Sequence, residues 1–143
     1  MERAIELAWR GWGRVHPNPL VGAVVVKNGT IIGKGHHRKF GGPHAEVEAL
    51  RSCRRSPAGA TLYVNLEPCR HHGKTPPCTD FITAFGISRV VIGMRDPNPL
   101  VSGNGVRALR RAGIRAGRPQ AVPPPLAATA PPRLGRVCQT GLR

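Results

Sequence analysis

Four residues in the middle of the sequence have side chains suited to metal-assisted chemistry, namely His44, Glu46, Cys69 and Cys78. One imidazole and two thiolates make a three-ligand zinc set, which leaves the fourth tetrahedral position for water. Glu46 follows His44 by two residues within the first turn of a predicted helix, so its carboxylate would reach that water rather than the metal. A carboxylate in this position can take up and return protons. The four residues together predict a catalytic zinc centre.

Each of these residues also has a simpler interpretation when it is considered alone. His44 could be a surface or capping residue, and Glu46 could be a charge placed favourably near a helix N-terminus. The two cysteines could be core thiols, or they could form a structural zinc site with His71 or His72. The order of the four residues and their positions between predicted elements favour the catalytic site over these separate interpretations.

The surrounding sequence predicts the strands and helices that position these side chains. Helices are predicted over His44–Arg54 and from Cys78 to near Gly86, and a strand is predicted over Thr61–Leu66. Strands alternating with helices after an initial hairpin indicate the α/β class, with a mixed sheet between helices. The other predicted elements are a helix over Glu2–Trp12, strands over Val21–Lys27 and Thr30–Gly35 joined by Asn28-Gly29, a strand over Arg89–Met94, and a helix over Asn104–Ala112.

The first predicted helix has apolar side chains at helical spacing. Ile5, Ala8, Trp9 and Trp12 recur at this spacing, and charged residues occupy the other side. We therefore expect these four side chains to face the core.

Composition and charge restrict the class of protein. The chain has 143 residues and a net charge of +15, which is typical of proteins with an anionic partner such as a phosphate or a nucleic acid. Aromatic residues make up only 4% and the basic residues are dispersed, which argues against nucleic acid. The longest apolar run, Leu20–Val26, is too short to cross a bilayer. Acidic and basic residues near the start argue against a secretory signal, so we expect a cytoplasmic protein.

The last part of the chain differs in composition from the rest. Residues 115–143 contain six prolines, five arginines and no acidic residue, and they lack periodicity. Such a segment buries too little apolar surface to offset its chain entropy. We therefore predict a domain over residues 1–114 and a disordered tail over residues 115–143.

Several short motifs stand out, namely His44-Ala45-Glu46-Val47, Leu66-Glu67-Pro68-Cys69, the loop to Cys78, His16-Pro17-Asn18-Pro19 and Asp96-Pro97-Asn98-Pro99. Together they resemble the deaminase domain of the bifunctional deaminase/reductase enzymes of riboflavin biosynthesis, within the zinc-dependent cytidine and deoxycytidylate deaminase superfamily. Most members of that superfamily have two residues between the paired cysteines, whereas this chain has eight, including the Gly-Lys-Thr-Pro-Pro typical of the riboflavin group.

This resemblance implies a three-layer α/β/α fold with about five strands and a specific reaction. The family converts 2,5-diamino-6-(5-phosphoribosylamino)pyrimidin-4(3H)-one to 5-amino-6-(5-phosphoribosylamino)uracil and ammonia. By resemblance, Zn²⁺ is held by His44, Cys69 and Cys78, and Glu46 moves the protons. The residues implied in substrate binding are Asn18, His37, Lys74, Asp96 and Asn98. A deaminase of another base or nucleotide, and an impaired zinc protein that binds anions or nucleic acid, stay open as alternatives.

The sequence also departs from the family pattern. Arg70 stands where the family usually has a small serine, and a Pro/Arg-rich segment stands where the family continues with structured sequence. We therefore expect the reductase domain to be absent. A frameshifted or truncated end and a natural free-standing deaminase are both consistent with this tail. Related deaminases associate, so the resemblance also implies a homo-oligomer.

A second motif, Gly103-Asn-Gly105-Val-Arg-Ala108, matches the glycine pattern of dinucleotide-binding loops. That fingerprint also requires an acidic residue about twenty positions later. Asp96 is the last acidic residue of the chain, so the requirement is not met. We therefore interpret the two glycines as a turn and the start of a helix.

Overall fold

The structure, a computed structural model, describes residues 1–71, 73 and 75–119. These residues form helices and strands in an alternating order after an initial hairpin, as predicted. In chain order they are α1 Glu2–Trp9, β1 Gly22–Lys27, β2 Thr30–His36, α2 Ala45–Arg51, β3 Thr61–Leu66, α3 Cys78–Ala84, β4 Arg89–Met94, α4 Asn104–Arg111 and β5 Arg115–Gly117.

The strands form one mixed sheet in the order β2-β1-β3-β4-β5. β1 is antiparallel to both β2 and β3, whereas β3, β4 and β5 run parallel. Asn28-Gly29 forms the predicted hairpin turn, and Lys27 pairs with Thr30 across it. Because β3 and β4 are parallel, the residues after their carboxyl ends lie at the same edge of the sheet. This edge carries the residues that follow Leu66 and Met94.

Helices cover both faces of the sheet, which confirms the predicted three-layer α/β class. Successive strand residues point to opposite faces. On one face, strand residues such as Val25 and Val64 share a buried cluster with side chains from α2, α3 and α4, including Leu50, Ile82 and Leu109. On the other face, Val24 packs in a separate cluster with Ala4 and Leu7 of α1.

The prediction for the inner face of α1 is wrong for three of its four residues. Ile5, Trp9 and Trp12 are exposed, at 46%, 59% and 71%, whereas Ala8 is buried as predicted, together with Ala4 and Leu7. The helix approaches β1 so closely that a Cβ added at Gly22 would lie 1.9 Å from the carbonyl oxygen of Ala4. The backbone of Ala4 and Ala8 lies at this contact, where an indole would not fit.

The predicted boundary at residue 114 is also wrong. Arg115–Gly117, assigned to the tail from the sequence, forms β5 beside β4, and Ala116 joins the buried core. A three-residue strand is too short to show alternation, and its pairing partner lies far away in the sequence. The prediction of disorder for residues 120–143 lies outside the described residues. Within the described part of the chain, no helix has the length and apolarity needed to cross a membrane.

The central strand provides a test of the packing. Leu62 of β3 is fully buried in the larger cluster. We expect Leu62→Ala to lower the free energy of unfolding by about 2–5 kcal/mol, because it removes apolar contacts and leaves a cavity. Urea unfolding measures this loss. Leu100→Ala is the control, because Leu100 is 85% exposed and its truncation should change stability by less than about 0.5 kcal/mol. Equal effects of the two changes would contradict this packing.

Candidate metal centre and active site

Three elements bring the predicted metal ligands together. His44 is the N-cap residue of α2, Cys78 is the first residue of α3, and Cys69 follows the end of β3. The ligand atoms of these three residues all lie within 4.8 Å of one another. His44 Nδ1 is 3.1 Å from Cys78 Sγ and 3.6 Å from Cys69 Sγ. In a tetrahedral zinc site, bond lengths near 2.1 and 2.3 Å place neighbouring ligand atoms about 3.5–4 Å apart. The arrangement therefore fits a zinc ion.

The pKa values of the three groups are shifted by their mutual contacts. The hydrogen bond with Cys78 lowers the pKa of the Cys69 thiol well below its usual range, although burial opposes this, and His44 lowers it further. The pKa of Cys78 is raised, because its thiol is hydrogen-bonded to the Cys69 sulfur and is buried. The hydrogen bond with Cys69 raises the pKa of His44, although burial alone would lower it. Zn²⁺ would displace any proton that these groups carry, because metal ligands must be deprotonated.

Glu46 lies in the first turn of α2, beside this group. Glu46 is only 4% exposed, and burial raises the pKa of its carboxyl to about 7. Glu46 and the two ligands His44 and Cys69 line the same cavity, whose volume is about 210 Å³. A group that gains and loses protons near neutral pH is suited to general acid–base catalysis. Among the described residues, the group of side chains that could hold a metal consists of His44, Cys69 and Cys78 and does not include His71. His72, the other alternative ligand, lies outside the described residues.

Asn18 and His37 lie together in the wall of the cavity. His37 is buried, and its Nδ1 is 2.9 Å from the carbonyl oxygen of Pro43. Because a carbonyl can only accept, Nδ1 is the donor of this bond, and Nε2 lies 3.1 Å from Asn18 Nδ2, from which it accepts. Both ring nitrogens are therefore occupied by protein partners, and His37 orients the Asn18 amide.

The other three predicted substrate-binding residues differ in their position relative to the cavity. Asp96 is half-buried and lines the cavity. Asn98 is exposed and lies outside the cavity, where its Oδ1 accepts a hydrogen bond from the backbone N–H of Leu100 at 3.1 Å. Lys74 lies outside the described residues.

Sequence reasoning missed the role of Glu67, which it recorded only as part of a motif. The side chain is buried, and its carboxylate accepts hydrogen bonds from the backbone N–H groups of Asp96, Gly103 and Val106. Burial alone would raise the pKa of this carboxyl, but the backbone N–H groups hold it below its ordinary value. The available signal was an acidic residue at the end of a buried strand, directly before Pro68-Cys69.

A three-layer α/β fold with a His-Cys-Cys zinc set at two helix N-termini and a buried glutamate beside it is the arrangement of a zinc-dependent deaminase. Residues 1–94 match the family described as "Cytidine and deoxycytidylate deaminase zinc-binding region". The chain belongs to this family.

The chain is similar to individual proteins of riboflavin biosynthesis within this family. The chain is 60% identical to the riboflavin biosynthesis protein RibD of Aquifex aeolicus and 56% identical to that of Escherichia coli K12, each over 114 residues. These matches cover 80% of this chain but only 32% and 31% of the relatives. The structure of a diaminohydroxyphosphoribosylaminopyrimidine deaminase/5-amino-6-(5-phosphoribosylamino)uracil reductase from Thermotoga maritima is 63% identical, with a TM-score of 0.78. That match covers 82% of this chain and 34% of the Thermotoga protein. The chain therefore spans about a third of the length of these relatives.

Proposed function

We propose that this chain hydrolyses the 2-amino group of 2,5-diamino-6-(5-phosphoribosylamino)pyrimidin-4(3H)-one in riboflavin biosynthesis. The products are 5-amino-6-(5-phosphoribosylamino)uracil and ammonia. The observation that carries the proposal is the buried carboxylate of Glu46 in one cavity with His44 and Cys69. The choice of substrate is supported by the 63% identity to the Thermotoga protein, whose name includes diaminohydroxyphosphoribosylaminopyrimidine deaminase.

His44, Cys69 and Cys78 would hold the zinc ion. When bound, zinc supplies Lewis-acid activation of a water molecule. Glu46 accepts a proton from that water and delivers it to the ring nitrogen next to the amine-bearing carbon. The oxygen of the water forms a bond to this carbon, and the C–N bond to the amine breaks. Glu46 carries the second proton to the departing amine, so that ammonia leaves and a carbonyl remains.

Asn18 and Asp96 would hold the substrate in this reaction. Both line the cavity that contains Glu46. An amide and a carboxylate can hydrogen-bond to the donors and acceptors of a pyrimidine ring and to ribose hydroxyls. His37 contributes by orienting Asn18. We retain Lys74 as a binding group for the phosphate and Asn98 as a further polar contact, on the strength of the sequence resemblance.

Three broader assignments accompany this function. We propose a cytoplasmic location, because a reducing compartment keeps Cys69 and Cys78 available as thiolates. We propose that the deaminase domain comprises residues 1–114 together with β5, and that it associates into a homo-oligomer, as the resemblance implies. The anionic substrate is consistent with the net charge of +15.

Ammonia release tests the proposed function directly. Zinc-loaded protein is incubated separately with the diaminopyrimidine phosphate, with cytidine and with deoxycytidine monophosphate. We expect turnover of the first compound and at least about 100-fold lower kcat/KM for the others, since a site that hydrogen-bonds one ring leaves polar groups unpaired with another. Preferred turnover of either cytosine compound would contradict the choice of substrate. Absence of turnover with all three would contradict the activity.

A further inference from the structure

Glu67 forms an unusual set of contacts at the edge of the active site. Its Oε2 accepts hydrogen bonds from the backbone N–H groups of Asp96 at 2.9 Å and Gly103 at 3.0 Å. Its Oε1 accepts from the backbone N–H of Val106 at 3.2 Å. The backbone N–H of Glu67 itself donates to the carbonyl oxygen of Met94 at 2.9 Å. One residue at the end of β3 thus contacts both ends of the connection between β4 and α4.

The carboxylate acts as a cap for α4 that is supplied from a distant part of the chain. The first N–H groups of a helix lack partners within the helix. The N-cap residue of α4 is Gly103, which has no side chain to provide one. Val106 is the third residue of α4, where a capping oxygen normally binds. A negative charge at a helix N-terminus is also favoured by the helix dipole.

Gly105 explains why the capping group can come so close. A Cβ added at Gly105 would lie 2.1 Å from the carbonyl oxygen of Pro68 and 3.1 Å from Glu67 Cγ. Any larger residue would therefore force α4 away from Glu67 and Pro68. The glycine pattern that resembled a dinucleotide-binding loop serves this close contact between α4 and the segment that leads to Cys69.

These contacts connect the metal ligand Cys69 to Asp96 by a short route. Glu67 precedes Cys69 by two residues, and its Oε2 holds the backbone of Asp96. Glu67, Cys69 and Asp96 all line the cavity that contains Glu46. We propose that Glu67 is a positioning residue, which fixes Asp96 at the correct distance from the metal centre for substrate binding. This inference rests on the proposed function.

Glu67→Gln tests the proposal with a nearly unchanged shape. A glutamine has one oxygen, so its NH₂ group must face backbone N–H donors that the carboxylate now binds. We expect KM for the diaminopyrimidine phosphate to rise about tenfold or more, as lost hydrogen bonds to a charged group predict. We expect kcat to change by less than about threefold, because Asp96 is assigned to binding rather than to proton transfer. Zinc content should stay equal to that of the unmutated protein.

A double-mutant cycle separates positioning from general stabilisation. In an Asp96→Asn background, the effect of Glu67→Gln on KM should fall below about twofold, because residues acting through one another are not additive. A general loss of stability would reduce activity equally in both backgrounds, and that result would overturn the proposal. A parallel loss of zinc would also overturn it. Glu6→Gln is the matched control, since Glu6 is an exposed carboxylate paired with Arg3 on α1.

Hydrogen exchange of the unmutated protein tests the same contacts without relying on a variant that folds. Asp96 and Gly103 lie outside the helices and strands, yet their N–H groups bond to Glu67. We expect both amides to exchange at least about 100-fold more slowly than in an unstructured chain. Unprotected amides would overturn the proposal. Inactivity of the unmutated protein towards the diaminopyrimidine phosphate would instead contradict the proposed function, and exchange would still decide whether Glu67 holds Asp96.

Discussion

Glu46→Gln is expected to lower turnover of the diaminopyrimidine phosphate by about 10²- to 10⁴-fold, the usual contribution of a positioned general acid–base group. The glutamine amide has nearly the same shape but cannot accept a proton from water and deliver it to the ring. Burial raises the pKa of the native carboxyl to about 7, which suits transfer in both directions near neutral pH. Zinc binding should persist, since the three ligands are unchanged. Steady-state ammonia release and metal analysis of the purified variant measure both quantities.

Glu48→Gln is the matched control for this experiment. Glu48 belongs to the same helix, α2, and its carboxylate lies 3.6 Å from Arg38 rather than in the cavity. The change should leave kcat within about twofold of the parent, because surface ion pairs contribute little. Comparable activity of Glu46→Gln and Glu48→Gln would remove Glu46 from the mechanism.

Cys78→Ser is expected to abolish stoichiometric zinc binding and to lower turnover by more than about 100-fold. Mutation of groups that merely support metal ligands costs about 10- to 100-fold in affinity or activity, so loss of a ligand should exceed that range. Cys78 is almost fully buried and its sulfur is 3.1 Å from His44 Nδ1, so it belongs directly to the ligand group. Metal content per chain and ammonia release are the measurements.

Cys53→Ser provides the control for loss of a thiol. Cys53 is half-buried, and its Sγ donates to the carbonyl oxygen of Ala49 at 3.4 Å, away from the metal ligands. A serine can make the same hydrogen bond, so zinc content and turnover should match those of the parent. Full zinc occupancy and full activity in Cys78→Ser would disprove the assignment of this residue as a ligand.

Local patterns were sufficient for the elements that carry the site. The strands over Thr61–Leu66 and Arg89–Met94 have the predicted bounds, because each is a run of β-branched and apolar residues flanked by breaks. A helix was predicted over His44–Arg54, but the observed helix is shorter and spans Ala45–Arg51, with His44 at its N-cap. Helix ends are set by which backbone groups find partners, and the sequence pattern alone does not specify this.

Contacts between distant segments account for the failures. The apolar pattern of α1 predicted that Trp9 would be buried, but the backbone of α1 lies so close to Gly22 of β1 that an indole would not fit at that contact. β5 exists because Arg115–Gly117 pairs with β4, and three residues carry no pattern that predicts this. Both results depend on where another element lies in space.

The same distinction applies to the site. His44, Glu46, Cys69 and Cys78 could be predicted from their residue types, because zinc coordination and proton transfer demand particular side chains. The folded chain was needed to show that Asp96 lines the cavity, that Asn98 lies outside it, and that Glu67 binds the backbone of Asp96. The partners of Glu67 are backbone N–H groups, which every residue except proline possesses, so no residue type in the sequence marks them.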